Sequence, residues 1–347
     1  MQKLKCAVIG GGAVAERVHL PALARCAGIE AALIVDKSAG RARQIAAQFG
    51  VPRAATDYRD AIGAVDAAII GLPHQLHASV AVDLLKAGIP VLVEKPMALS
   101  PGECDAMIDA SAASGAVLTV GLLRRCSPSL QWVKRALDAG LLGTLSSFDL
   151  SEGAVYRWPV ASPSMFRREG GGVLADAGSH VLDLVLWWFG DYRSFSYRDD
   201  AQGGVEADCL LDLEMADGVI GRVELSRTRD LRNSCVITGE RGTIAVGTKT
   251  DSVVTVTWTD GTSLGGRGVV GDRPSPTNLV DLFEPQLRQF VNAIKFGDAP
   301  VVSGAEARRS VELLAACYRT RRLWIHPWDA GASAGASETD TLVEAVR

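Results

Sequence analysis

Three ionisable residues stand where chemistry could be done. Lys95 follows the apolar run Val91-Leu92-Val93 inside Glu94-Lys95-Pro96. A lysine leaving the end of a buried strand can hydrogen-bond a hydroxyl and hold positive charge beside an oxygen that turns partly anionic during oxidation. Taken alone, a solvated lysine at a strand end explains it better. Asp176 and His180 are four apart, and Asp183 lies three further on, within Gly170-Gly171-Gly172-Val173-Leu174-Ala175-Asp176-Ala177-Gly178-Ser179-His180-Val181-Leu182-Asp183. On a helix all three fall near one face. The segment is otherwise rich in Val, Leu and Trp, and polar groups in so apolar a helix need partners. Histidine changes charge near neutrality, and a neighbouring carboxylate orients and tunes it. Two other readings remain open: a core histidine satisfied by Asp183, or an Asp–His–Asp metal site, for which no further ligands stand at a recognisable spacing.

A glycine-rich turn precedes all of these. Leu4-Lys5-Cys6-Ala7-Val8-Ile9 reads as a buried strand, followed by Gly10-Gly11-Gly12-Ala13-Val14-Ala15 and a helical run to Arg25. This is G-x-G-x-x-A between a strand and a helix, the context in which the pattern binds a dinucleotide. Gly10 permits the tight turn, and Gly12 lets a pyrophosphate approach the backbone. Ala13 and Val14 begin the helix, whose free N–H groups and partial positive charge suit phosphates. Asp36 ends the next strand, close to the ~20 residues at which a carboxylate takes a ribose 2′-hydroxyl. It favours NAD by repelling a 2′-phosphate, while Lys37 beside it would tolerate NADP. Gly71-Leu72-Pro73-His74-Gln75-Leu76-His77 follows the strand at 67–70. Ligands of open α/β sheets bind outside the carboxyl ends of the strands. Pro73, His74 and His77 are therefore candidate cofactor contacts, as are Glu94, Lys95 and Pro96 on the same rim. Capping of the next helix explains His77 equally well.

These residues need a scaffold, and the hydrophobic pattern supplies one. Apolar strands at 4–9, 30–35, 67–70, 91–93 and 117–120 alternate with helical runs at 13–25, 38–49, 75–87 and 102–113. Near-continuous apolar strands separated by helices predict a doubly wound parallel sheet, a Rossmann domain over 1–122. Residues 123–330 read differently, as an α+β domain with an open, mainly antiparallel sheet. Cys209, Leu211, Leu213 and Met215 alternate with polar neighbours, as do Val254, Val256 and Trp258, and Phe283, Leu287, Phe290, Val291 and Ile294 mark an amphipathic helix. An open sheet must cover its second face, and pairing with another copy of the chain does so most simply, which predicts a homodimer or homotetramer. Residues 331–347 are small and polar and read as a loose tail.

Composition excludes several classes. Among 347 residues, 48% are hydrophobic and 22% charged, enough for a large core, and the net charge of −4 shows no basic stripe for nucleic acid. Seven scattered cysteines without C-x-x-C spacing argue against disulfides and zinc and suit a reducing cytoplasm. Ala13-Val14-Ala15 mimics a leader cleavage site, yet three glycines interrupt the apolar region a leader needs. No stretch reaches the ~18 apolar residues of a membrane span.

Taken together, Gly10 to Ala15, Glu94-Lys95-Pro96 and Gly170 to Asp183 resemble the glucose–fructose oxidoreductase, inositol dehydrogenase and rhizopine-catabolism (Gfo/Idh/MocA) family. Gly121-Leu122-Leu123-Arg124-Arg125-Cys126-Ser127-Pro128 resembles its interdomain segment. The resemblance implies that Lys95, Asp176 and His180 are the catalytic set. His180 would be the acid/base group, and Asp176 would orient it or bind a neighbouring hydroxyl. It also implies a nicotinamide cofactor and a secondary alcohol or ketone on a sugar, cyclitol or sugar nucleotide. His74 departs from the asparagine common in the family. Arg157 and Trp158, with the loop through Arg168, are expected to touch substrate, since an aromatic face stacks on a sugar ring and arginines bind acidic groups; an ordered loop packing on the following helix explains Trp158 equally well. Two rival functions share this resemblance: a glycosidase that oxidises transiently and regenerates NAD, and a dinucleotide-binding sensor without turnover.

Overall fold

The computed structural model describes residues 2–155, 170–202, 204–249, 252–267 and 276–325, together with the backbone pairing of 343–344. Arg157, Trp158 and most of the expected tail lie outside the described residues. Two compact units are present, and each is taken by itself.

The first unit carries six parallel strands: β1 (Leu4–Ile9), β2 (Ile29–Val35), β3 (Arg53–Ala55), β4 (Ala67–Ile70), β5 (Val91–Val93) and β6 (Leu118–Val120). Their spatial order is β3-β2-β1-β4-β5-β6, so the chain reverses direction across the sheet between β1 and β4. Helices α1 (Leu20–Arg25), α2 (Ala39–Phe49), α3 (His77–Lys86) and α4 (Pro101–Ser114) connect the strands. The strands are apolar throughout because both faces are covered. Ala7, Ile9 and Val35 join one core cluster, while Cys6, Val8 and Ile34 join another on the opposite side. Helix α2 starts where the Ser38 hydroxyl accepts the Arg41 N–H and stops at Gly50 in the left-handed conformation. The helix expected over 13–25 is divided. Ala15–His19 forms a π-helical turn and α1 resumes with Pro21 in its first turn, where a missing N–H costs nothing.

The second unit opens with α5 (Pro128–Asp138), β7 (Leu145–Gly153), α6 (Val173–Phe189), β8 (Tyr192–Asp199), β9 (Asp208–Met215) and β10 (Ile220–Ser226). It continues with β11 (Ser234–Gly239), β12 (Gly242–Gly247), β13 (Val253–Trp258) and β14 (Ser263–Arg267). Its sheet runs β14-β13-β12-β11-β7-β10-β9-β8, and is antiparallel except where β10 lies parallel to β7. The short strands β15 (Arg322–Leu323) and β16 (Val343–Glu344) both pair with β8. Helix α6 lays Leu174, Val181, Leu182 and Val185 against the sheet residues Leu211, Val223 and Leu225 in one core. Fold class therefore agrees with the reading from sequence: a Rossmann-like parallel sheet and a mainly antiparallel second sheet.

The expected division at residue 122 differs in one respect. Helix α7 (Leu279–Phe296), capped by reciprocal Asn278 and Asp281 bonds, belongs to the first unit. Its Leu282, Phe283, Leu287 and Phe290 share a core with Val8, Leu23 and Ile34. Amphipathicity reveals that a helix has a buried face but not which sheet receives it. The division then falls within α8 (Gly304–Arg319), between Glu312 and Leu313. No helix among the described residues is long and apolar enough to cross a membrane.

Candidate active site

The glycine turn sits at the carboxyl end of β1. Gly10 has φ +107°, and a Cβ there would stand 2.3 Å from the Gly71 carbonyl oxygen. Only glycine can take that backbone conformation so close to the start of the loop after β4. A Cβ on Gly12 would meet nothing within 4 Å. The turn therefore keeps bare backbone on the side where a pyrophosphate must approach, and its residues fit a dinucleotide. Ala13 and Val14 are half-buried behind it.

Asp36 reaches this turn from the end of β2. Its Oδ2 accepts the Gly11 N–H at 2.9 Å and its Oδ1 accepts the Ser38 N–H at 2.9 Å. A carboxylate has about four lone-pair sites, so two remain for the hydroxyls of a ribose. Lys37 is exposed. Arg41, not singled out from the sequence, donates from Nε to the Gly11 carbonyl at 2.7 Å and from a terminal nitrogen to Glu16 Oε2 at 2.6 Å.

The rim formed by the loops after β4 and β5 is tied together from inside. His77 opens α3 with its ring fully buried. Nδ1 lies 2.9 Å from the Pro96 carbonyl oxygen, and Nε2 lies 2.9 Å from that of Leu72. A carbonyl oxygen only accepts, so the neutral ring donates its single N–H to one of the two and lies against the other. His77 thereby joins the two loops that carry Pro73 and His74, and Lys95. Burial holds its pKa below the ordinary histidine value against the raising effect of the two carbonyls.

The Glu94 side chain turns inward. Its Oε1 lies 2.8 Å from His19 Nε2, and its Oε2 accepts the Lys95 N–H at 3.2 Å. His19 is fully buried and stacks on Phe283 at 4.7 Å. Burial would raise the Glu94 pKa, but the His19 bond and the charges of His19 and Lys95 outweigh it and hold the carboxyl below its usual value. The pair fixes the backbone from which Lys95, half-buried, leaves β5. Pro96 is buried.

Asp176 and His180 lie in the first two turns of α6, in the second unit. Both are half-buried, as the helical spacing requires of one face, while Asp183 is buried. An Arg227 terminal nitrogen donates to the Gly172 carbonyl at 2.8 Å and lies 3.4 Å from Asp176 Oδ2. The start of α6 has no side-chain cap of its own. Instead, Glu206 accepts the Val173 N–H on its backbone oxygen and the Leu174 N–H on Oε1, each at 3.0 Å. Tyr318 donates its hydroxyl to the same Oε1 at 2.7 Å and accepts the Gly172 N–H at 3.2 Å. The glycine run follows from this packing. A Cβ on Gly172 would lie 2.2 Å from the Glu206 carbonyl oxygen, and one on Gly171 would lie 2.5 Å from Ala175 Cβ. Burial raises the Glu206 pKa, opposed by the Tyr318 hydroxyl, the Glu206 N–H and the Leu174 N–H. Among the described residues, no three His, Cys, Asp or Glu side chains are gathered as a metal ion needs.

The sequence reading missed His19, Arg41, Arg227, Glu206 and Tyr318. The chain has five histidines, so a lone one four residues beyond Ala15 was a weak signal. The other four partner sites distant in sequence and carry no local pattern.

Known proteins match along most of the chain. Residues 4–122 match the model of the Gfo/Idh/MocA oxidoreductase family with its NAD-binding Rossmann fold, and residues 130–245 match a Gfo/Idh/MocA C-terminal domain. Inositol 2-dehydrogenase of Acidothermus cellulolyticus is 31% identical over 71% of this chain and 73% of its own length. The scyllo-inositol 2-dehydrogenase (NAD(+)) of Bacillus subtilis is 26% identical over 90% of this chain and 92% of its own. In structure, an aldose–aldose oxidoreductase from Caulobacter crescentus, solved with glycerol, superposes with a TM-score of 0.82. That match covers 92% of this chain and 97% of the other at 22% identity, and so speaks to fold alone. The glycine turn closed by Asp36, the Glu94-Lys95-Pro96 rim and the matching second domain place this chain in the Gfo/Idh/MocA family of NAD-binding oxidoreductases.

Proposed function

We propose that the chain is an NAD-dependent dehydrogenase, or a ketoreductase in the reverse direction, acting on a secondary alcohol of a sugar, cyclitol or sugar nucleotide. The observation that carries this reading is the Gly10–Gly12 turn with Asp36 bonded across it, in a chain that also keeps Lys95, Asp176 and His180. Inositol dehydrogenases among its relatives support the substrate class.

A bound nicotinamide dinucleotide supplies the two-electron chemistry, exchanging a hydride with the substrate carbon. Gly10, Gly12, Ala13 and Val14 hold its pyrophosphate, Asp36 its ribose hydroxyls, and Pro73 and His74 border it. Lys95 binds the substrate hydroxyl and stabilises negative charge on that oxygen as its proton departs. His180 accepts that proton on its imidazole during oxidation and returns it during reduction. Asp176, steadied by Arg227, orients the histidine or binds an adjacent hydroxyl. Arg157 and Trp158 contact the sugar. Lys, Asp, His and Arg suit a hydroxyl-rich molecule better than an apolar one. A homodimer or homotetramer in the cytoplasm completes the proposal, and sedimentation giving a monomer at micromolar concentration would remove the oligomer from it.

The test is NADH formation across a panel of sugars, inositols and sugar nucleotides. One member of the panel should yield NADH stoichiometrically. Lys95→Ala should then lower kcat by roughly 10²-fold or more while NADH still binds. Tight NAD binding with no turnover on any polyol, or an unchanged kcat in Lys95→Ala, would sink the assignment.

A further inference from the structure

Asp36 is flanked by two cations, Lys37 and Arg41. A ribose 2′-phosphate, the group that distinguishes NADP from NAD, is accommodated by an arginine near this position. In this chain that arginine is engaged elsewhere. Arg41 Nε donates to the Gly11 carbonyl at 2.7 Å, one terminal nitrogen to Glu16 Oε2 at 2.6 Å, and the other to Gln44 Oε1 at 3.3 Å. Arg41 and Asp36 border the same point of the turn: a Cβ on Gly11 would lie 3.1 Å from Asp36 Oδ2 and 3.4 Å from Arg41 Cγ. Glu16 is ionised there, because the Arg41 hydrogen bond, helped by Gln48, holds its carboxyl below the usual range. Its side chain is 30% exposed and that of Arg41 26%, so the pair stands at the rim of the turn, not in the core.

We propose that Glu16 determines which nicotinamide dinucleotide this chain accepts, acting through Arg41. By binding the guanidinium it neutralises the cation a 2′-phosphate would require, and it leaves Asp36 to read a ribose with both hydroxyls free. Glu16 is a positioning residue: it touches Arg41 and not the cofactor. The inference rests on the dinucleotide reading above and adds a residue to it.

Glu16→Gln keeps the shape and an acceptor but removes the charge. Partly exposed ion pairs contribute up to about 1 kcal/mol, so NADPH affinity should rise about fivefold while NADH affinity changes less than twofold. Fluorescence titration of bound NADH and NADPH measures both without turnover, and Tm confirms that each variant is folded. Adding Arg41→Met to Glu16→Gln should abolish the gain, whereas Arg41→Met alone should shift the NADPH-to-NADH ratio less than twofold. Glu16→Ser replaces the glutamine variant if that one fails to fold. A wild-type chain that binds neither dinucleotide defeats the cofactor reading itself. A wild type that binds NADH, with an unchanged ratio in folded Glu16→Gln, defeats only the role of Glu16. So does a gain that survives the loss of Arg41.

Discussion

Replacing His19 by leucine tests how Lys95 is held in place. Glu94 is only 8% exposed, and without the imidazole its one remaining hydrogen bond among the described residues is the Lys95 N–H. A buried carboxylate stripped of its partner can stay ionised at a cost of about 3–5 kcal/mol. It can instead take up a proton, which limits the cost to about 1.4 kcal/mol for each pH unit above its ordinary pKa of about 4.3. That limit is about 3.7 kcal/mol at pH 7 and about 1 kcal/mol at pH 5. The double variant His19→Leu/Glu94→Gln loses the same imidazole and the same stacking on Phe283 but carries no charge. The difference in unfolding free energy between single and double variants should therefore be about 3–4 kcal/mol at pH 7 and shrink to about 1 kcal/mol at pH 5. Urea unfolding at several pH values measures it. In the wild type the sign is opposite. Glu94 is held below its usual pKa, so its contribution is present above the ordinary glutamate range and disappears as pH falls through the folded value. A difference that stays constant from pH 5 to 7, or one below 1 kcal/mol at pH 7, would refute the buried-pair reasoning.

Two further outcomes follow from the same geometry. His77→Leu leaves the carbonyls of Leu72 and Pro96 without the ring, and an orphaned buried acceptor costs about 1–3 kcal/mol; Tm should fall and NADH should bind more weakly, whereas unaltered NADH affinity would show that the two loops hold their places without it. Tyr318→Phe removes the hydroxyl that lowers the raised Glu206 pKa. A carboxyl with a raised folded pKa contributes stability at low pH that is lost as pH rises through that value, so the variant should lose more Tm at pH 8 than at pH 5, and equal losses would contradict the cap assigned to Glu206.

The sequence by itself determined what is local. Short apolar runs mark buried strands and the stretches between them mark helices wherever they are packed, and this placed β1, β2, α2 and α4 within a residue or two of their bounds. Gly10 was legible for the same reason, since a left-handed turn between strand and helix demands glycine from its own backbone geometry. Asp176 and His180 shared a face because four residues make about one helical turn. Tertiary structure decided the rest. It placed α7 on the first unit, although its amphipathic stripe fits any apolar surface. It turned Glu94 toward His19, 75 positions away, and capped α6 with Glu206 and Tyr318 from remote segments. Each of these is a polar or packing contact between positions far apart in the chain, and hydrogen-bond partners at such separations leave no periodicity for a sequence to show.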